Sequence, residues 1–469
     1  MSQLTSEGAL YELICRGQKD VYFQADVATA VSPFRNNYKR IPAIISERRQ
    51  IPPTNNADFG KTLEYDFEVA GDVFTHPTLL ITLPSWLPSE YASINSKSVV
   101  QDASGNTYGY TNGVGYFLFQ KIQIYQDQIL LQEFSGDALY ASRLSRGSLN
   151  SAVLENELAG IHDGTPLSIG RNATPGTLRV ELPLLGCQHN DDGGFPSFAI
   201  RSQIFRLRIV TRKLEDLIEC SDGMSSAKPT PWDRTLQIQT ARGGPFTSFQ
   251  TLDRYKIDQP SIYLETRHIY VDPDTQKELV ESDLEYPFSR LFENIYYFNE
   301  RDYAPLANGA VAAVTRRIDA VFPSSRLFFF MRQKSDVDAN RLWKITSDVA
   351  NGEYYNNFSF LIASRDRETL FPPLVWNTIV QHSKEDRYSG AGLGVISWDL
   401  GEQRGRRPPF ARQPEGSVNF SEADRPTLYV ELQQIATTTY DRNTEMRLIV
   451  DTWSTFETSE RRGGLRFAN

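Results

Sequence analysis

Apolar and polar residues alternate with a period of two from one end of this chain to the other, and no other feature restricts its fold as strongly. Leu63, Tyr65, Phe67 and Val69 alternate with Glu64, Asp66 and Glu68. Leu178, Val180 and Leu182 alternate with Arg179 and Glu181, and Phe205, Leu207 and Ile209 with Arg206 and Arg208. The pattern returns at Leu428, Val430 and Leu432, and at Met446, Leu448 and Val450. An extended strand sends successive side chains to opposite faces, so each segment predicts one face in a core and one against water or a neighbour. Breakers separate them, as at Ala70-Gly71-Asp72 and Gln126-Asp127-Gln128. Many short strands with long polar connections predict a β-sandwich. A length of 469 residues exceeds what one core fills, so two are expected.

Helical signals are few. Residues 6–17 place Leu10, Leu13 and Ile14 on one face, with Gly17 as a stop. Asp272-Pro273-Asp274 predicts a cap and turn before a short helix over 275–281, and the domain boundary is placed there, at 274–285. Long polar loops are expected at 88–113, 142–176, 213–234 and 381–412, lengths that a compact domain tolerates when they serve a purpose. Tyr296, Tyr297, Phe298 and the Phe328–Phe330 run are read as apolar surface roofed partly by loops and partly by neighbouring copies.

A net charge of −9 argues against nucleic-acid binding, which needs a basic surface to neutralise phosphates. Three widely spaced cysteines, Cys15, Cys187 and Cys220, are no disulfide framework and predict free thiols in a reducing compartment. The first twenty residues lack a basic region and an apolar core, so no secretion signal is read there. Apolar runs such as Leu327-Phe328-Phe329-Phe330-Met331 are strand-length, well short of the ~18 residues of a membrane span.

No catalytic, cofactor or metal residue is assigned from the sequence. Cys187, His189, Asp191 and Asp192 form the densest group of potential metal ligands but lack a second ligand pair at zinc spacing, and read as a polar turn. Asp336, Asp338 and Asn340 imitate a calcium loop, yet Arg341 stands where the turn needs Gly and Ser347 where the bidentate Glu belongs. Gly390-Ala391-Gly392-Leu393-Gly394 lacks the Lys-Ser/Thr of a phosphate loop and reads as a loop entering a strand at Val395 to Trp398. Arg404, Arg406, Arg407 and Arg412 read either as a solvated loop or as a contact for an acidic neighbour. Asn172, Asn357 and Asn419 are glycosylation sequons.

Motifs at the end of the chain carry a resemblance. Gln413-Pro414-Glu415-Gly416-Ser417-Val418-Asn419-Phe420-Ser421 resembles the "QPSGxxNFS" motif of the major capsid proteins of nucleocytoplasmic large DNA viruses. Gly463-Gly464-Leu465-Arg466-Phe467-Ala468-Asn469 is similar to their "GGLxYxN" tail. Upstream, Gly8 to Leu13 with Gly17 to Tyr22 resembles the family's opening segment, and Gly60 to Leu83 its paired strands around "GD". Phe119 to Gln132 resembles a hairpin in which Asp127-Gln128 replaces Gly-Gly. Pro183 with Phe195 to Ile200 is similar to the "LPLIAL" strand region, and Tyr270-Val271-Asp272 with Asp274 to Glu278 resembles "LDTxER". Arg367-Glu368 through Phe371 and Asn377 is similar to a motif of the second half, and an insertion falls near 221–256.

The resemblance implies an all-β double jelly roll, two eight-stranded sandwiches side by side with few short helices. It divides the chain into an N-terminal arm (1–25), a first roll with loop insertions (26–273), a linker (274–285), a second roll (286–457) and a tail (458–469). It further implies a structural protein of the virion capsid rather than an enzyme, assembled in the host cytoplasm as homotrimeric pseudo-hexagonal capsomers. The partners implied are neighbouring capsomers, minor capsid and penton proteins, and the inner viral membrane at the capsomer base. Two alternatives stand beside it: a minor or penton-type capsid protein, and a carbohydrate-binding or carbohydrate-active β-sandwich using Trp376, Trp398 and Trp453.

Overall fold

A computed structural model describes residues 43–67, 71–92, 98–144, 157–173, 176–188, 194–200, 203–222, 228–232, 234–240, 243–303, 312–347, 353–380, 392–398, 416–433, 443–459 and 462–466. All of them but Ala43 fall in the compact unit Ile44–Asn469. The expected N-terminal arm, Cys15 and the arginine run at 404–412 lie outside the described residues.

Each half contributes eight principal strands. In the first they are β1 (Ile44–Ile51), β2 (Thr62–Asp66), β3 (Val73–Thr82), β4 (Phe119–Gln126), β5 (Ile129–Phe134), β6 (Thr177–Glu181), β7 (Phe205–Thr211) and β8 (Ser261–Val271). In the second they are β9 (Leu284–Phe298), β10 (Ala312–Arg317), β11 (Pro323–Gln333), β12 (Tyr355–Ile362), β13 (Arg365–Phe371), β14 (Leu393–Ser397), β15 (Thr427–Leu432) and β16 (Thr444–Ser459). The first half forms antiparallel sheets β1-β8-β3-β6 and β2-β7-β4-β5. The second forms β9-β16-β11-β14 and β10-β15-β12-β13. Numbered within each half, both orders are 1-8-3-6 and 2-7-4-5. The chain changes sheet at nearly every turn in the same sequence twice, which is a jelly roll and its repeat.

The alternation places the core. Leu63 and Tyr65, Leu178 and Val180, Leu207 and Ile209, and Leu428, Val430 and Leu432 are buried. One cluster fills the first sandwich and a second fills the other. Strands β11 and β16 break the pattern because both their faces are covered. Phe329 points into the second core and stacks on Phe358 at 4.1 Å, whereas Phe328 and Phe330 join Ile449 in a third cluster with Ala138 and Ala141 of the first half. A strand buried on both sides carries apolar residues at every position, which explains the unbroken Leu327 to Met331 run. Phe328, Phe329, Phe330 and Phe298 are therefore internal, which corrects the expectation of surface there; Tyr297 does remain exposed.

The long connections build structure of their own. Val99–Gln101, Thr235–Gln239 and Thr247–Gln250 form a three-stranded sheet, and Tyr108–Tyr110 pairs with Ile218–Cys220. The linking helix spans Pro273–Glu281, two residues earlier than expected, because Asp272 is the cap and Pro273 opens the first turn. Asp272 accepts from the Thr275 backbone N–H at 3.1 Å and from its hydroxyl at 2.7 Å.

Candidate functional site at the seam between the sandwiches

The residues with the most specific geometry lie where the two halves meet. After β5 the chain turns into helix α1 (Gly136–Leu144), whose N-terminus is capped by the Ser135 hydroxyl accepting the Ala138 N–H at 3.0 Å. Position 136 must be glycine, since a Cβ there would stand 2.2 Å from the Tyr116 carbonyl oxygen. Ala138 and Ala141 share one face and are small enough to let the helix lie on the Phe328, Phe330 and Ile449 surface.

The same turn carries Asp137 into the seam with no exposure. Its Oδ1 meets Arg332 at 2.8 Å, and its Oδ2 meets Arg212 at 3.0 Å and Arg447 at 3.1 Å. Arg332 and Arg447 reach on to Glu445 at 2.8 and 2.6 Å, and Arg447 to Glu293 at 2.5 Å. Arg212, Arg332 and Arg447 thus balance Asp137, Glu445 and Glu293. Burial alone would raise the Asp137 pKa, but the three guanidiniums outweigh it and hold the carboxyl well below its usual range. Glu445 is lowered in the same way by Arg332 and Arg447, again against the effect of burial. The cluster crosses the seam at Asp137, a first-half residue whose buried charge is fully matched only when Arg332 and Arg447 of the second half are in place.

Three glutamines complete the seam. Gln188 Oε1 accepts the Ser289 N–H at 2.8 Å while its Nε2 donates to the Ser289 carbonyl at 2.9 Å. Gln132 Nε2 donates to that carbonyl at 3.0 Å, and its Oε1 accepts the Leu185 N–H at 2.8 Å. At Ser289 the outer edge of β9 is thereby paired by side-chain amides in place of a strand. Gln203 grips Gly463 identically, on the tail strand β17 (Arg462–Leu465) that pairs with β16. A Cβ at Gly463 would meet Phe456 Cζ at 2.4 Å, so the glycine of the tail motif is a packing requirement.

Other motif residues are also joints. Asp72 accepts from the Val271 N–H at 3.0 Å and from the Gln276 amide, tying the "GD" turn to the linking helix. In the "NFS" segment Phe420 is buried, Asn419 Oδ1 accepts the Ser421 N–H at 3.1 Å, and the Ser421 hydroxyl accepts the Phe322 N–H at 2.8 Å. Residues 413–415 of that motif and 467–469 of the tail lie outside the described residues. Asp127 adopts the left-handed conformation that Gly-Gly would supply, and its carboxylate accepts the Ile204 N–H at 3.1 Å.

The remaining sequence candidates take structural places. Asp336 pairs with Arg341 at 3.2 Å and Lys344 at 3.4 Å, and Asn340 donates to the carbonyls of Glu215 and Ile218 at 2.7 and 2.6 Å. This calcium-like stretch is a plug into the first half, beside Trp343 Nε1, which donates to Glu219 at 2.8 Å. Cys187 donates to the Phe74 carbonyl at 3.5 Å, while His189, Asp191 and Asp192 lie outside the described residues. The amides of Asn172 and Asn357 are engaged, with the Tyr110 carbonyl at 2.9 Å and with Glu431. Trp376 and Trp453 are buried, and Trp398 packs on Phe360 and Phe420, so the three form no sugar platform. Sequence reasoning missed Asp137, Arg332 and the glutamines. The one available signal was Arg332 itself, a charge closing an otherwise apolar run.

No protein-family model matches this sequence, and no curated protein matches it. Solved structures do. A chain of the quasi-atomic model of the PBCV-1 virus capsid aligns at 13% identity over 93% of this chain and 100% of that one, with a TM-score of 0.67. PBCV-1 VP54, fitted into a reconstruction of the virophage Sputnik, aligns at 13% identity over the same shares with a TM-score of 0.69. The Faustovirus major capsid protein aligns at 12% identity over 95% of this chain and 94% of its own, with a TM-score of 0.62. In fold, the chain is a double jelly roll of the kind that these viral major capsid proteins share.

Proposed function

We propose that this protein is a major capsid protein, a structural subunit that assembles as homotrimeric pseudo-hexagonal capsomers and tiles an icosahedral virus shell. The observation that carries the reading is the double roll itself, alike over 93% of the chain to a component of the PBCV-1 virus capsid. Two rolls of the same strand order give each chain two similar wedges. Three chains give six, so one sequence fills a hexagonal lattice with threefold symmetry. The seam supports this role, because a tile needs its two wedges at a fixed angle, and buried charges with paired edges resist hinge motion.

On this reading the protein has no catalytic task. Residues 1–25 act as an arm, 26–273 and 286–457 as the rolls, 274–285 as the linker and 458–469 as the tail. Partners are neighbouring capsomers, minor capsid and penton proteins, and the inner viral membrane under the capsomer base, with assembly in the host cytoplasm. Electron cryomicroscopy of particles containing the protein tests the proposal. A shell of pseudo-hexagonal units, each accommodating three copies of the double roll, is expected. Density in which the protein occupies only vertices, or lies outside the shell, overturns it.

A further inference from the structure

We propose that Glu353 is a proton-operated latch joining the helical turn at Asn377 to the start of β14 at Gly392, and that the second sandwich is more stable when the latch carries a proton. Glu353 precedes β12 and is 3% exposed. One of its oxygens, Oε1, accepts the Gly392 N–H at 2.6 Å and the Asn377 side-chain amide. The donors come from both sides of residues 381–391, so this one carboxyl holds together the two ends of that segment. Position 392 is committed to the contact: Gly392 has φ +99°, and a Cβ would lie 2.5 Å from the Ile345 carbonyl oxygen.

The surroundings favour the neutral acid. Both partners are uncharged, and no cation among the described residues acts on Glu353. Among the described residues, the turn contributes the Asn377 amide, the residue before β14 the Gly392 amide, and β12 the hydroxyl of Tyr355, whose own ionisation is suppressed by burial and by Glu353. Asn377 Oδ1 and the Tyr355 hydroxyl are buried and have no hydrogen-bond partner among the described residues. A carboxylate adds a further acceptor to this cluster, whereas a protonated carboxyl adds a donor. Burial, partly offset by the two hydrogen bonds, pushes the group up to about 7.

The sign follows from linkage. A carboxyl whose folded value is raised from 4.5 to about 7 stabilises the fold fully below its unfolded value, and that contribution is lost as pH rises through the folded one. Acidification therefore tightens this half. The test compares the native full chain with Glu353→Gln, which keeps the shape and cannot titrate. Between about pH 5 and 7 the unfolding equilibrium of the native chain should shift by up to about tenfold per pH unit relative to the variant, then level off. Difference infrared spectra of the native chain should show a buried carboxyl carbonyl band appearing with a midpoint near pH 7, absent from the variant. Parallel stability profiles overturn the proposal. Should the variant fail to fold, the native spectrum decides, and lack of a carbonyl band titrating near neutrality overturns it.

Discussion

Gln203 pairs with Gly463 as a strand would: its Oε1 accepts the Gly463 N–H at 2.9 Å and its Nε2 donates to the Gly463 carbonyl at 3.0 Å. The two residues are 260 positions apart and belong to different halves of the molecule. The tail is thus a strap across the seam. Gly463→Val places methyl groups where Phe456 already stands, and overpacking of this kind costs about 1–3 kcal/mol. Urea denaturation should record that loss, and limited proteolysis should cut the tail first. An unchanged midpoint would mean that the tail contributes nothing to the seam.

The second prediction concerns the charge cluster. Asp137→Asn is close in shape but leaves Arg332, Arg447 and Arg212 without their shared anion, and breaking a buried pair costs about 3–5 kcal/mol. The Asp137 pKa is depressed on folding, so its contribution is present above the ordinary aspartate value of about 4 and is lost as pH falls further. Acid titration should narrow the gap between the native chain and the variant progressively below that value. A constant gap between the two curves down to pH 2 would contradict this assignment.

A pair of aromatic substitutions separates core from surface. Phe329→Ala removes a ring stacked on Phe358 and should cost about 3–5 kcal/mol. Tyr297, at 65% exposure, should tolerate Ser with a change within about 0.5 kcal/mol in the isolated subunit. Chemical denaturation of both variants checks the contrast.

Gln188→Ala should leave the Ser289 N–H without an acceptor, at a cost of about 1–3 kcal/mol. Amide exchange at Ser289 should accelerate while exchange in the centre of β16 stays slow. Uniform acceleration would show that the clamp and the core open together.

Much of the fold was legible because one-sided strands write their burial into the sequence at every second residue. Leu207 and Ile209 against Arg206 and Arg208 is such a case. Strand β11 carries no such alternation, because Phe328, Phe329 and Phe330 face two different cores and a period of two marks only one. The seam was hidden for a related reason. Gln188 and Gln203 are ordinary polar residues until the fold brings a peptide edge opposite each. The end motifs were visible as patterns, yet their cause, the contact of Gly463 with Phe456 and of Ser421 with Phe322, arises only in the folded chain.

Sedimentation of the purified protein across rising salt tests the central claim most directly. A capsomer interface of the obligate class buries more than roughly 2,000 Å² and is dominated by packing, which salt does not screen. The account predicts a species of three chains that persists in high salt while contacts between such species weaken. A protein that sediments as a monomer, or whose trimers dissolve to monomers as salt rises, would contradict the account of a shell tile.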